Sequence, residues 1–313
     1  MNSSQIEQYL RDHLILTLPH HKIREVYEYA TLPGGKLFRP HLVWAVAEDL
    51  NKELYLKSSN NNLSAHALLA SAVEFHHSYT LLHDDLPSMD DDVVRRGKPC
   101  THITYGEWKA LLTGDGLLNI SYQLLAKIKN ERLVELINFF SWACGPKGLI
   151  HGQVLDLSGE MTLSFQNIYR THELKTARLI QVAILGSAIL SIPKNRKLEG
   201  KIWRFSRLLG VNFQLLDDLS ELCEQTLSEH ELAVNPWLHF SDITFRELHK
   251  NLVEFKKLSE ELDLKQTNKI VQKYYMTMSS SIEGSKSIIE NHLNNKELKL
   301  EPIILLLNSF SHS

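Results

Sequence analysis

Two groups of acidic residues lie far apart in the chain, and the first lies where a cation is needed to stabilise it. It contains five aspartates between Asp84 and Asp92, within the stretch LHDDLPSMDDDVVRRGKP. Asp84 and Asp85 end an apolar run that predicts a helix, and Pro87 cannot continue that helix. Carboxylates at the C-terminal end of a helix oppose its dipole and repel one another. A bound cation would offset this cost, and clustered oxygen ligands suit Mg²⁺.

The second group is DDLSE, residues 217–221. Asp217 and Glu221 are four residues apart, so they share one face of a predicted helix. Each group has a plainer interpretation, a solvated acidic loop for the first and an amphipathic helix with an acidic outer face for the second. Together they favour two groups that face each other across a helical bundle and hold a diphosphate through several Mg²⁺ ions. The apolar stripe expected to bury the second helix is Phe213, Leu216, Leu219 and Leu222.

Basic side chains supply the other half of what a diphosphate requires. Lys36 and Arg39 lie beside flexible glycines in LPGGKLFRP, and Arg95 and Arg96 follow the first acidic group directly. Lys175, in HELKTARL, is a further candidate. Arginine binds phosphate as a fork and lysine binds it as a point charge. The sequence has no GxxxxGK[ST] loop, so it does not predict a nucleotide held in that way.

The composition favours an enzyme or a binding protein with a large core. The chain has 313 residues, of which 43% are hydrophobic and 23% charged, and its formal net charge is -3. This charge is too small to suggest a nucleic-acid partner. Three scattered cysteines fit reduced thiols in a cytoplasmic protein, and the N-terminus lacks the pattern of a signal peptide. We expect no membrane span, because the most apolar stretch, residues 179–192, is too short and reads better as a buried core helix.

Helices should position these groups. Glycine (14) and proline (9) are scarce, which leaves few tight turns for a protein made of many short strands. Apolar residues instead recur at spacings of three and four, as in the segment 202–216. Ser64 is predicted to cap the helix that carries the first acidic group, and Asn235 with Pro236 is predicted to begin another. We therefore predict an all-α protein with one domain over residues 1–313.

The motifs and their order resemble those of the trans-isoprenyl diphosphate synthases. DDLPSMDDDVVRRGKP is similar to the first aspartate-rich motif of that family, and GGKLFRP is similar to its GGKRxRP segment. GQVLDL, LKTARL and FQLLDD are similar to its GQxxDL, KTxxL and FQxxDD motifs. The resemblance spans residues 34–218. It implies a single polyprenyl synthase domain, an all-α bundle of the isoprenoid synthase type with a deep central cavity, and a homodimer.

The resemblance also implies a reaction and a role for each candidate residue. The family couples isopentenyl diphosphate to an allylic diphosphate with the help of about three Mg²⁺ ions. Asp84 and Asp90 would bind Mg²⁺, with Asp85 in support, and Asp217 would bind a further ion. For His77 an ordinary core histidine is the alternative. The other implied assignments are Arg95 and Lys175 for the allylic diphosphate, Lys36, Arg39, His77 and Arg96 for isopentenyl diphosphate, and Thr176 and Gln214 for the developing carbocation.

Two features resemble the bacterial farnesyl diphosphate synthases in particular. Four residues separate Asp85 from Asp90, and Tyr79 stands five residues before Asp84. Members of the family use a bulky side chain at that position to limit the length of the product. Five helical residues would place Tyr79 about 7.5 Å along the helix axis from the metal site. An ordinary core tyrosine is the alternative.

The second acidic group departs from the family's pattern. Glu221 replaces the last aspartate of DDxxD, and the segment after it has no glycine and no lysine where relatives carry a glycine- and lysine-rich loop. No Lys or Arg occurs between Arg207 and Arg246. A terpene cyclase is not favoured, because its motif would require Ser or Thr at position 221 and Glu at position 225.

The sequence therefore predicts a Mg²⁺-dependent enzyme of isoprenoid biosynthesis. It would condense isopentenyl diphosphate with dimethylallyl and geranyl diphosphate to give farnesyl diphosphate. The alternative is a catalytically impaired or non-catalytic homologue that acts as a subunit or binds isoprenoid diphosphates.

Overall fold

The fold is almost entirely helical, and the all-α prediction is confirmed. The computed structural model describes residues 1–293 and 299–312. A π-helical turn, Glu173–Ala177, lies between the tenth and eleventh α-helices, and 3₁₀ turns occupy Glu160–Leu163 and Ser309–His312. The α-helices are α1 (Ser3–Thr17), α2 (Arg24–Thr31), α3 (Phe38–Leu50), α4 (Lys52–Ser58), α5 (Ala65–Asp84), α6 (Thr101–Tyr105), α7 (Glu107–Ala126), α8 (Leu133–Cys144), α9 (Leu149–Leu157), α10 (Phe165–His172), α11 (Arg178–Ser191), α12 (Arg196–Glu221), α13 (Glu229–Val234), α14 (Pro236–His239), α15 (Ser241–Leu262), α16 (Lys265–Gly284), α17 (Lys286–Leu293) and α18 (Glu301–Asn308).

One small hairpin contains the strands found in the described part of the chain. Strand β1 (Val94–Arg95) pairs antiparallel with β2 (Lys98–Pro99). Arg96 and Gly97 form its two-residue turn, with φ of 53° and 74°. Positive φ at both central residues is the geometry that suits the twist of a tight hairpin. The sequence did not predict this element, because strands of two residues are too short to show an alternating pattern.

The chain divides into two compact units. Unit 1 comprises Met1–Phe140 and Val182–Pro193, and unit 2 comprises Ser141–Gln181 and Lys194–Ser313. Each unit carries one of the two acidic groups. The single domain expected over residues 1–313 stays a prediction.

Helix α5 carries the first acidic group in unit 1 and packs against α3 and α7. The side chain of Ser64 accepts a hydrogen bond from the amide of Ala67, so the predicted N-cap is confirmed. The helix is buried along most of its length, because its residues are mainly apolar or small. It ends at Asp84, shortly before Pro87, as the sequence predicts.

Helix α12 carries the second acidic group in unit 2 and packs against α15 and the π-helical turn. Phe213 is half-buried and not fully buried, so the core prediction is met only in part at this position. That ring stacks on Tyr274 of α16, with 4.7 Å between the ring centroids. The other apolar positions predicted to face the core are fully buried: Leu216, Leu219 and Leu222.

Two glycines let neighbouring helices approach the π-helical turn closely. A Cβ atom on Gly152 of α9 would lie 2.5 Å from the backbone nitrogen of Lys175. A Cβ atom on Gly210 of α12 would lie 2.4 Å from Cα of Ala177. Neither distance is compatible with van der Waals packing, so both positions require glycine. Helices α9 and α12 thus pack directly on the backbone that carries Lys175 and Thr176.

A continuous helical run over residues 165–191 is the one described segment long and apolar enough to cross a membrane by length and composition. In this protein 89% of its most apolar window is buried in the interior. Such burial is typical of a core helix. The interpretation of the stretch that begins at Leu179 as a buried core helix is confirmed as far as Ser191.

Candidate active site

The first acidic group forms a loop at the C-terminal end of α5, and a backbone hydrogen bond closes this loop. Asp84 is the last residue of the helix, and Asp85 is its C-cap. The backbone amide of Asp90 donates a hydrogen bond to the carbonyl oxygen of Asp84, with an N···O distance of 2.9 Å. The loop between them therefore folds back and brings the main chain of two predicted metal ligands together. Asp84 is half-buried and Asp90 is exposed, so a ligand can reach this loop from solvent.

The donors of this loop fit Mg²⁺ that is bound together with a diphosphate. Among the described residues, no three His, Cys, Asp or Glu side chains converge closely enough to hold a metal by themselves. Mg²⁺ commonly takes one or two carboxylates and completes its octahedron with waters and substrate phosphates. Asp84 and Asp90 offer oxygen donors of this kind. The arrangement therefore suits a cation that shares its coordination with a substrate.

Asp85 supports the loop by binding Arg95 on β1. It is 5% exposed and accepts a hydrogen bond from Nε of Arg95, whose Nη2 donates to Asp92. Burial raises the pKa of Asp85, and the charge of Arg95 opposes that shift. Arg95, predicted to bind the allylic diphosphate, is thus held in place by two carboxylates.

Three residues predicted to bind isopentenyl diphosphate, Arg39, His77 and Arg96, lie in one positively charged region of unit 1. Burial lowers the pKa of Arg39 to about 10, and its Nε is buried with no hydrogen-bond partner among the described residues. Burial also lowers the pKa of His77 well below its usual range, and the charges of both arginines add to that shift. The guanidinium of Arg96 lies over Gly35. The fourth predicted ligand, Lys36, is exposed in the turn before α3.

Glu74 is a buried acid in this basic region, and no role was predicted for it from the sequence. It is 2% exposed, and burial raises its pKa against the opposing charges of Arg39 and Arg96. Its carboxyl group thus lies in the field of two predicted substrate ligands. A usable signal was present, since Glu74 is the only acid in the apolar run from Ala65 to His83.

Tyr79 is buried on α5 between two histidine rings of the same helix. Its ring meets His76 edge to face at a centroid distance of 4.7 Å and His83 at 5.4 Å. These contacts fix the orientation of the ring. The role of Tyr79 in product length stays a prediction.

In unit 2 a chain of polar contacts joins the KTxxL and FQxxDD motifs. Oγ1 of Thr176 donates to Oε1 of Gln214 at 2.9 Å, and Nε2 of Gln214 donates to Oδ1 of Asp218 at 2.8 Å. Nε2 of His172 lies 2.9 Å from Oδ2 of Asp218. Asp217, the predicted metal ligand, is half-buried beside Asp218. The structure therefore brings Thr176, Gln214 and the second acidic group together.

Lys175 is held by an acid of the GQVLDL motif for which no role was predicted from the sequence. Its Nζ donates to Oδ2 of Asp156, in GQVLDL, at 2.6 Å. The two residues lie on the π-helical turn and on α9, so no local pattern pairs them. A diphosphate bound by Lys175 would compete with Asp156 for the ammonium group.

Glu221 ends α12 and is bound by Asn235, which the sequence analysis identified only as the start of a helix. That start is confirmed, because Asn235 caps α14 and Pro236 is at the first turn. Nδ2 of Asn235 also donates to the carbonyl oxygen of Asp218 at 2.7 Å and to Oε2 of Glu221 at 3.1 Å. Burial raises the pKa of Glu221 to about 8, and the charges of Asp218 and Asp217 add to the shift. In the absence of a cation, Glu221 therefore binds a proton near neutral pH.

The segment after Glu221 forms a short helix, α13. Ser228 caps it, since its side chain accepts from the amide of Glu231 and its own amide donates to the Glu231 side chain. The sequence has neither lysine nor glycine here. This segment thus supplies no substitute for the lysine that the family resemblance implies after the second motif.

The chain is similar to known proteins over most of its length. A family model described as polyprenyl synthetase matches residues 20–230. Among curated proteins, the farnesyl diphosphate synthase of Geobacillus stearothermophilus is 34% identical over 207 residues, which cover 64% of this chain and 66% of that protein. The chloroplastic geranylgeranyl pyrophosphate synthase of Capsicum annuum is 36% identical over 228 residues, which cover 71% of this chain and 58% of that protein. The chain thus spans less than two thirds of the length of either relative.

A solved structure gives a similarity over nearly the whole chain. The geranyltransferase of Helicobacter pylori, in complex with magnesium and isoprenyl diphosphate, is 26% identical with a TM-score of 0.67. The match covers 99% of this chain and 95% of that one.

Proposed function

The chain belongs to the polyprenyl synthetase family, and from this premise we propose that it is a Mg²⁺-dependent prenyltransferase. Its helical fold is the isoprenoid synthase fold that the sequence predicts. The proposed reaction condenses isopentenyl diphosphate with dimethylallyl and geranyl diphosphate to give farnesyl diphosphate. The observation that carries the proposal is the acidic loop closed between Asp84 and Asp90, in the same unit as a cluster of basic residues.

Unit 1 supplies both kinds of group that a diphosphate requires. Asp84 and Asp90 are the proposed Mg²⁺ ligands, and bound Mg²⁺ would supply charge that stabilises the diphosphate leaving group. Arg39, His77 and Arg96 are proposed to hold isopentenyl diphosphate. The unpartnered Nε of Arg39 supports this role, because a buried donor gains most from a phosphate oxygen.

Unit 2 supplies groups suited to the allylic substrate. Lys175 is proposed to bind its diphosphate and Asp217 a further Mg²⁺ ion. Ionisation of the substrate leaves a carbocation, which the oxygens of Thr176 and Gln214 would face. The double bond of isopentenyl diphosphate attacks this carbocation and a proton then leaves. The released diphosphate is a sufficient base, so no carboxylate of the chain is required for that step.

Farnesyl diphosphate is the proposed product, although the relatives include synthases of both farnesyl and geranylgeranyl diphosphate. The burial and position of Tyr79 support farnesyl diphosphate, the shorter of the two products. It is 7% exposed, and it lies on α5 about one and a half turns before Asp84. A large ring fixed at that depth would limit the space for a growing chain.

We also propose that the protein is a cytoplasmic homodimer. Three apolar residues on one face of α7 support a self-association surface, since they recur at helical spacing and are exposed by 61%, 45% and 52%: Trp108, Leu111 and Leu112. Three free cysteines support a reducing compartment: Cys100, Cys144 and Cys223.

A non-catalytic homologue that binds isoprenoid diphosphates is the second candidate. The raised pKa of Glu221 favours it, as does the sequence without Lys or Arg between Arg207 and Arg246. Incubation of the purified protein with Mg²⁺, isopentenyl diphosphate and each allylic primer, followed by analysis of product length, distinguishes the two. Farnesyl diphosphate supports the synthase. Mg²⁺-dependent binding of the diphosphates without any product supports the alternative.

A further inference from the structure

Two hydrogen bonds, one between backbone atoms and one between side chains, join Glu173 and Arg178 across the π-helical turn. The backbone amide of Arg178 donates to the carbonyl oxygen of Glu173, five residues earlier, which is the hydrogen bond that defines a π-turn. Their side chains repeat the connection, since Nη2 of Arg178 donates to Oε1 of Glu173 at 2.8 Å. Removing the side-chain bond would leave only the backbone hydrogen bond between these two residues.

The other oxygen of Glu173 binds α12. Nε of Arg207 donates to Oε2 of Glu173 at 2.8 Å. Along α12, Arg207 is followed by Gly210, which meets the turn's backbone, and by Gln214, which bonds Thr176. Spacings of three and four place these positions on one face of α12. The turn thus contacts α12 at three successive positions, Arg207, Gly210 and Gln214. Glu173 makes the contact at the first of them, Arg207.

The guanidinium of Arg178 is held in its orientation by further contacts. Its guanidinium carbon lies 4.5 Å from the ring centroid of Trp142 and 5.4 Å from that of Trp203. Nη1 donates to Oε1 of Gln181 at 2.8 Å. Arg178 is 7% exposed, and breaking a buried ion pair is unfavourable because it leaves a buried charge without its partner. Arg178 therefore presents its Nη2 to Glu173 from a guanidinium that is held on its other sides.

We propose that Glu173 is a positioning residue, which sets the register of the π-turn that carries Lys175 and Thr176. It does so through Arg178 and Arg207. The inference rests on the proposed function, because the two residues that it positions are the ones proposed to act on the allylic substrate. Displacing a reacting group by 1 Å can lower the rate by roughly a hundredfold, so a shift of this turn would reduce kcat.

The first test compares two arginines on the same helix. Arg207→Gln removes one ligand of Glu173, and Arg204→Gln is the matched control, since Arg204 is 63% exposed and pairs with Glu254. We expect Arg207→Gln to lower kcat by roughly tenfold to a hundredfold and to raise KM for the allylic substrate. KM for isopentenyl diphosphate should stay unchanged, because its proposed ligands lie in unit 1. Arg204→Gln should match the wild type in all three constants.

A second measurement does not depend on activity. Hydrogen exchange of the Arg178 amide should become faster in Arg207→Gln and in Glu173→Gln, and should be unchanged in Arg204→Gln. Glu173→Asp, which keeps the charge on a shorter side chain, should restore part of the protection. A merely structural role predicts instead lower thermal stability with both KM values and kcat preserved.

The outcomes separate the inference from the proposed function. An active wild type with unchanged kinetics and exchange in Arg207→Gln and Glu173→Gln overturns the positioning role and leaves the synthase standing. A wild type without turnover overturns the synthase. In that case the exchange data alone decide whether Glu173 fixes the turn.

Discussion

The carbonyl oxygen of Asp84 accepts a hydrogen bond from the backbone amide of Asp90, and this main-chain bond closes the acidic loop at the end of α5. Because the bond uses no side-chain atom, altering either carboxylate does not remove this hydrogen bond. A substitution at either carboxylate therefore tests cation binding while this main-chain bond is kept.

We predict that Asp84→Asn lowers kcat/KM while the fold is retained. Loss of one charge-assisted contact costs roughly 1.5–3 kcal/mol, which corresponds to roughly ten- to a hundredfold. Steady-state kinetics across a range of Mg²⁺ concentrations measures the loss. Asp91→Asn is the control, because Asp91 is exposed at φ 53° and asparagine tolerates that conformation well. Equal activity of the two variants would contradict the metal-ligand assignment.

We predict that Glu221 makes the metal-free protein less stable as the pH rises. Its folded-state pKa of about 8 lies above the ordinary value of 4.5, so between these values the folded state keeps a proton that the unfolded state has lost. The free energy of unfolding therefore decreases as pH rises through this window. Glu221→Gln stays neutral, so its Tm should fall less between pH 5 and pH 8 in thermal melts without Mg²⁺. The exposed Glu224→Gln should keep the wild-type slope, and an identical slope in Glu221→Gln would refute the raised pKa.

We predict that Tyr79→Ala yields products longer than farnesyl diphosphate. The ring is buried against His76 and His83, so its removal opens space on α5 below the acidic loop. Tyr79→Phe keeps the ring and should keep the product. Truncating a buried aromatic costs roughly 3–5 kcal/mol, so folding of the alanine variant must be checked by circular dichroism. Product-length analysis with a folded but unchanged Tyr79→Ala would show that another residue limits the chain.

Sequence features that lie within or next to a single helix were sufficient to predict the helices that carry the site. The cap at Ser64, the apolar run after it and Pro87 all act on α5 alone, so the helix and its acidic end follow from the sequence. The same is true of Asn235 and Pro236 at the start of α14. These features depend on residues a few positions apart, which is the range over which backbone preferences operate.

Partners from different elements could not be predicted in this way. Lys175 meets Asp156 only because α9 packs on the π-turn, and that turn interrupts the helical pattern too briefly to be noticed. Phe213 matched the core stripe of α12 but stacks on Tyr274 from α16, whose position the local sequence does not specify. The burial of Glu74 depends likewise on the packing around α5.

The last prediction concerns the segment after the second acidic group, because the sequence has no Lys or Arg between Arg207 and Arg246. The family resemblance implies a glycine- and lysine-rich loop after the second motif, whereas this chain leads into α13 there. A graft of such a loop in place of α13 should reduce the Mg²⁺ concentration needed for half-maximal turnover. One added charge-assisted contact contributes roughly 1.5–3 kcal/mol, so the reduction should be roughly ten- to a hundredfold. A Mg²⁺ titration of turnover measures it.

The matched control is the same graft with its lysine replaced by glutamine, which separates the added charge from the change in loop conformation. If the charge matters, only the lysine graft shifts the titration. Superimposable curves for wild type and both grafts would mean that another cation already acts on the diphosphate. Lys175 is the first residue to examine, because it can exchange its acceptor Asp156 for a substrate oxygen. Absence of turnover in all three proteins at every Mg²⁺ concentration would instead favour the non-catalytic homologue, since the added cation would then have restored nothing.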